Sequence, residues 1–198
     1  MLSSILLPLL LAATTLPSVR DGDIVFQTSA SSQSAAIQKA TRSPWSHLGI
    51  VFFREGAPFV YEAVEPVKAT PLAKWVARGV GGHVVVKRLK DAATALTPDA
   101  LRALRRETER MVGHHYDLAF GWSDDRIYCS ELVWKAYDRA LGRKIGRLQR
   151  LRDFDLQEPL VKRSLKERYG ASVPLDEPVI SPGAMFDSEE LVTVEPGR

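Results

Sequence analysis

The sequence predicts an α+β fold, an antiparallel sheet packed with helices. Three observations carry that expectation. Short runs rich in Val, Ile and Phe are interspersed with amphipathic stretches, without the regular βαβ alternation of a parallel sheet. One pair of runs, Ser46–Phe53 and Pro58–Val64, flanks Arg54-Glu55-Gly56-Ala57, which reads as a hairpin turn. Two later helices carry clear start and stop residues.

Taken in order, Gly22–Thr28 reads as a strand opening after an Asp-Gly turn, and Ser31–Thr41 as a short helix. The hairpin follows, then a short helix over Pro71–Arg78 and a Val-rich strand over His83–Leu89. Thr97 is placed to cap a helix whose first residue is Pro98 and whose stop is Gly113, with Leu101, Leu104, Thr108 and Met111 on its inner face. A further helix starts near Cys129 and stops at Gly142, with Leu132, Val133, Ala136, Tyr137, Ala140 and Leu141 as its apolar stripe. Pro159–Tyr169 reads as another helix, followed by Pro-rich extended chain.

The 198 residues, 45% hydrophobic and 26% charged, have a globular composition and can bury a real core. No repeat or long linker divides them, so residues 21–198 are expected to form one domain. Residues 1–20 are expected to be a signal peptide. The run Ile5–Ala13 is nearly all apolar, too short to span a bilayer, and suits the h-region of an export signal. That places the mature protein outside the cytoplasm, in the periplasm or an equivalent compartment.

The net charge of +3 does not argue for nucleic acid, because the basic residues are not interleaved with aromatics in one stripe. Arg102, Arg105, Arg106 and Arg110 follow one helix, and Arg139, Arg143, Lys144, Arg147, Arg150 and Arg152 crowd a second region. Solvated faces account for both; weak association with anionic envelope components is the other reading.

Chemistry centres on the one cysteine, which excludes an intrachain disulfide. Cys129 lies on the inward stripe of its helix and in the first turn, where free N–H groups and the helix dipole stabilise a thiolate. An inward core cysteine would show the same placement. A nucleophile also needs a base. Pairing Phe53 with Pro58 sets Gly49 opposite Glu62 and His47 opposite Val64, so His47 and Glu62 share a sheet face as diagonal neighbours. Gly49 between them leaves room. A carboxylate on one imidazole nitrogen fixes the tautomer and steadies the imidazolium; a surface Glu beside a satisfied His is the alternative. His83 begins a Val-rich strand with no obvious partner, and His114-His115-Tyr116-Asp117 could suggest a metal, but adjacent histidines on a chain rarely point to one ion. No H-E-x-x-H or cysteine cluster calls for a metal, and neither a G-x-S-x-G elbow nor a Gly-rich phosphate loop is present. No cofactor is expected.

The stretch Gly113-His114-His115-Tyr116-Asp117, followed by Tyr128-Cys129-Ser130-Glu131-Leu132-Val133, resembles the NlpC family of papain-like cysteine peptidases, and Ser46-His47-Leu48-Gly49-Ile50-Val51 resembles that family's histidine strand. Here histidine precedes cysteine, the order of the circularly permuted, YiiX-like branch. Gly22–Thr28, Tyr61–Val64, Trp122–Arg126 and Phe154–Leu156 also look like that branch, so the resemblance runs from about Gly22 to Val194. It implies a circularly permuted papain-like (NlpC-type) fold. It also implies amide hydrolysis, often of cell-wall peptides, with Cys129 as nucleophile, His47 as base and Glu62 as the third residue. Tyr128, beside the nucleophile, is the candidate substrate-binding residue. Tyr128 and Glu131 replace the main family's Asp and Gly, and Glu62 stands where many members carry His or Asn; both departures put the main family's substrate preference in doubt. Two other readings remain: a lecithin:retinol acyltransferase-like enzyme, whose usual N-C-E-H-F segment does not match Tyr128–Leu132, and a binding protein without turnover.

Overall fold

The computed structural model describes residues 17–194, so most of the expected signal peptide, residues 1–16, lies outside the described residues. The elements in chain order are β1 (Ile24–Gln27), α1 (Ser32–Thr41), β2 (His47–Arg54), β3 (Ala57–Glu62), β4 (Lys68–Pro71), α2 (Leu72–Ala77), β5 (Val85–Leu89), α3 (Ala92–Ala95) and α4 (Pro98–Arg110). They continue as β6 (His115–Tyr116), β7 (Arg126–Ile127), α5 (Cys129–Leu141), β8 (Gln149–Arg150), α6 (Pro159–Tyr169), β9 (Pro178–Val179), α7 (Pro182–Phe186) and β10 (Leu191–Thr193).

Six strands form one antiparallel sheet in the order β10-β5-β1-β2-β3-β4. Residue alternation gives this sheet two apolar faces. Ile24, Phe26, Leu48, Ile50 and Phe52 meet Leu132, Val133, Ala136 and Tyr137 of α5 and Leu104 of α4 on one face. Val25, Val51, Val60 and Val86 meet Leu72, Trp75 and Val76 of α2 on the other. Fully burying an aliphatic or aromatic side chain of this kind stabilises the fold by about 1.5–3 kcal/mol each. Helix α5 is buried from Cys129 through Tyr137, which is why its first turn sits inside the protein rather than at its surface.

The helix termini follow their capping residues. Ser31 Oγ accepts from the Ser34 N–H at the start of α1, and Thr97 Oγ1 accepts from the Ala100 N–H at the start of α4. Gly142, at φ 65°, closes α5 in the left-handed conformation that glycine adopts without a Cβ penalty. The expected stop of α4 at Gly113 is displaced: the helix ends at Arg110, and Gly113 lies beyond it at φ 89°.

The hairpin has the expected register, Phe53 opposite Pro58. Two strands of the six-stranded sheet escaped the sequence reading. Lys68–Pro71 pairs with β3 ahead of α2, and Leu191–Thr193, within the tail expected to be merely extended, pairs with β5 at the sheet edge.

Candidate active site

His47 opens β2 and Glu62 closes β3, so the hairpin brings both to one end of the sheet. His47 Nε2 lies 2.6 Å from Glu62 Oε2. The Cys129 side chain, from the first turn of α5, stands beside the same ring, close enough to raise its pKa. Glu62 occupies Nε2, which leaves Nδ1 for the sulfur. Trp75 of α2 stacks on the imidazole, ring centroids 5.9 Å apart, and restricts its tilt. Gly49 has a different role from the one expected. A Cβ there would stand 2.5 Å from the Tyr61 carbonyl oxygen and from Val60 Cγ1, so glycine lets β2 and β3 approach rather than leaving space for the His47–Glu62 pair.

Glu62 is fully buried and has three partners. Besides His47, Thr70 Oγ1 donates to Oε1 at 2.6 Å, and Arg78 Nη2 donates to Oε1 at 2.5 Å and Oε2 at 2.7 Å. Burial alone would raise its pKa; the bonds from His47, Arg78 and Thr70 outweigh burial and hold it near about 2. Burial would likewise lower the His47 pKa, but the Cys129 and Glu62 side chains beside it outweigh that and raise it to about 9. The geometry therefore favours an imidazolium against the Glu62 carboxylate.

Arg78 and Thr70 were missed by the sequence reading, as was Tyr116. The phenol oxygen of Tyr116 accepts from Gln33 Nε2 at 3.1 Å. Its pKa is pushed well above the usual range by burial first and by the neighbouring Cys129 charge second, so it keeps its proton beside the sulfur. The only sign of it in the sequence is its place in Gly113–Asp117. Tyr128 is 1% exposed, and its hydroxyl accepts from the Ile180 N–H at 3.2 Å; its ring borders the cavity next to Cys129. The remaining histidines stand apart from this group: His83 stacks on Trp45, His115 bonds Glu65, and His114 Nδ1 is buried without a partner.

Two cavities meet at the site. A narrow one of about 80 Å³ includes Cys129 and is walled by Ala36, Ile37, Leu165, Val179 and Ile180. A wider one of about 500 Å³ includes His47. Gln33 and Ile37 of α1 belong to both walls and stand between them. The largest groove, about 1290 Å³, runs past Arg42, Trp45 and Arg152 and includes neither Cys129 nor His47.

Residues 18–195 match the model of the permuted papain-like amidase enzymes, the YaeF/YiiX, C92 family. The chain belongs to that family. Over 173 residues it is 50% identical to the uncharacterized protein YiiX of Escherichia coli strain K12, an alignment covering 87% of this chain and 84% of that one. The crystal structure of YiiX from Escherichia coli O157:H7 superposes with a TM-score of 0.85 at 49% identity, covering 92% of this chain and 99% of that one. The family's permuted papain-like fold is thus this protein's fold, as the His-before-Cys order implied. That YiiX is described as a metalloprotein. Among the described residues here, no three His, Cys, Asp or Glu side chains group as ion ligands.

Proposed function

We propose that this permuted papain-like amidase is a cysteine hydrolase of amide bonds in small peptides or amides, cell-wall-derived peptides among them. Cys129 is the nucleophile, His47 the base and Glu62 the residue that orients the base. The observation that carries the reading is the His47 ring, bonded by Glu62 on Nε2 with the Cys129 side chain beside it.

The steps follow from that arrangement. His47 holds the thiol proton and Cys129 sulfur attacks the carbonyl carbon. The oxyanion that forms faces the unpaired N–H groups at the start of α5 and the retained Tyr116 O–H, donors that need no rearrangement. His47 then gives its proton to the leaving nitrogen, the C–N bond breaks, and a thioester to Cys129 remains. Water, losing a proton to His47, attacks the thioester and releases the carboxylic acid, returning the thiol. Glu62 stays anionic throughout because its partners hold it so.

A second reading has one observation behind it. The apolar cavity beside Cys129 would also take the acyl group of a lipid ester, as in acyltransferases or phospholipases of the same permuted order. A hydrolysis screen over wall-derived peptides, amino-acid amides and acyl lipids, with Cys129→Ala as the blank, tests both. Turnover of amides that the blank lacks supports the first reading; turnover confined to lipids replaces it with the second.

A further inference from the structure

The two cavities are not equivalent with respect to the reaction. The acyl carbon becomes bonded to Cys129 sulfur, so the acyl part of a substrate belongs in the cavity that Cys129 lines. The leaving nitrogen takes its proton from His47, so the leaving part belongs in the cavity that His47 lines. That second cavity is also bordered by Gln27, Ser46, Glu65, Arg78 and Tyr116.

Its charges are unevenly engaged. Both oxygens of Glu65 are taken, Oε1 by His115 Nδ1 at 2.6 Å and Oε2 by the Tyr116 N–H at 2.9 Å. Arg78 is different. Only Nη2 is used, on Glu62, while Nη1 and Nε have no hydrogen-bond partner among the described residues, and the side chain is 45% exposed. A guanidinium has five N–H donors, so the Nε–H and Nη1–H donors remain for an anion. Gln27 adds a polar wall. It pairs with His47 in the β1–β2 ladder and is 1% exposed, and its Oε1 is buried without a partner. Leaving such an atom unmet is costly, and an apolar residue would avoid the cost. Gly79 accommodates it, since a Cβ there would stand 2.4 Å from that oxygen.

We propose that the His47-side cavity binds the leaving group of the scissile amide, and that this leaving group is an amino acid or short peptide with a free carboxylate read by the unused donors of Arg78. Arg78 thereby does two things: it holds Glu62 and it selects the substrate. The inference rests on the amide-hydrolase reading above.

The test compares paired substrates, an N-acyl amino acid and its carboxamide with the same acyl group, on the intact protein. Wild type is expected to favour the carboxylate by on the order of tenfold in kcat/KM, the size of one charge-assisted contact. In Arg78→Gln both substrates slow through the loosened Glu62, and the preference falls to near one through KM. A merely structural Arg78 would slow both and leave the preference intact. Binding of the free amino acid and its amide to Cys129→Ala, by calorimetry, gives the same comparison without turnover and without altering Arg78; the acid is expected to bind tighter. Equal treatment of the pair by wild type, or a preference that survives Arg78→Gln, overturns the proposal and leaves the hydrolase reading standing. If wild type cleaves neither member, turnover of other amides that Cys129→Ala lacks overturns only the leaving-group proposal, whereas absence of any Cys129-dependent amide turnover overturns both.

Discussion

Glu62 Oε2 and His47 Nε2 stand 2.6 Å apart because the hairpin turn pairs Phe53 with Pro58. A slip of one residue would send Glu62 to the opposite sheet face. Glu62→Gln keeps the shape but removes the charge that fixes the imidazole. Activity is expected to fall by roughly 10²- to 10⁴-fold, as for loss of the orienting carboxylate in a serine triad. Steady-state kinetics with an unchanged circular dichroism spectrum checks this.

The ring that Glu62 holds has a pKa raised to about 9, so His47 keeps the proton meant for the leaving group through neutral pH. Activity is expected to decline as pH rises through about 9. In Cys129→Ala the neighbouring sulfur that raises the His47 pKa is lost, and the His47 titration followed by NMR is expected to move down.

The same shifts make stability depend on pH. The folded pKa of His47 lies above its ordinary value of 6.5, so its contribution is whole below pH 6.5 and lost as pH rises through about 9. Glu62 is depressed from 4.5 to about 2, so its contribution is whole above pH 4.5 and lost as pH falls through about 2. Urea midpoints of wild type and Glu62→Gln are expected to differ most between these limits and to converge in strong acid.

Cys129 is 3% exposed, yet it lines a cavity. Iodoacetamide is expected to label it in the folded protein, more slowly in His47→Ala, which lacks the imidazolium partner. Cys129→Ser is expected to fold and to lack turnover. Labelling seen only in denaturant would mark Cys129 as a core residue and remove the nucleophile from the scheme.

Gly49→Ala places a methyl 2.5 Å from the Tyr61 carbonyl oxygen, a contact that backbone must relieve. A loss of about 1–3 kcal/mol in unfolding free energy is expected. Activity should fall with it, since β3 carries Glu62 next to Tyr61.

Much of the site is legible in the sequence because it depends on local rules. A tight turn sets the hairpin register, and the register sets which residues share a face. Helix α5 is legible through its stripe and Gly142. Arg78 is not, because its contact with Glu62 exists only after β4 has paired with β3 and α2 has folded back, and no periodicity marks that. Strand β10 is hidden for a similar reason: Leu191–Thr193 becomes a strand only because β5 offers an open edge. The close approach at Gly49 also belongs to the folded hairpin, and a pattern of apolar and polar residues cannot show it.

The permuted order sets when the site can exist. A ribosome delivers His47, Glu62 and Arg78 well before Cys129, and the edge strand β10 comes last. A nascent chain stopped before α5 holds a base and its orienting acid without a nucleophile. The reverse half, from β5 onward, holds a thiol with no base to activate it. Neither fragment can perform the chemistry proposed here, so attack at Cys129 is confined to a chain whose synthesis has passed α5 and whose two halves have met.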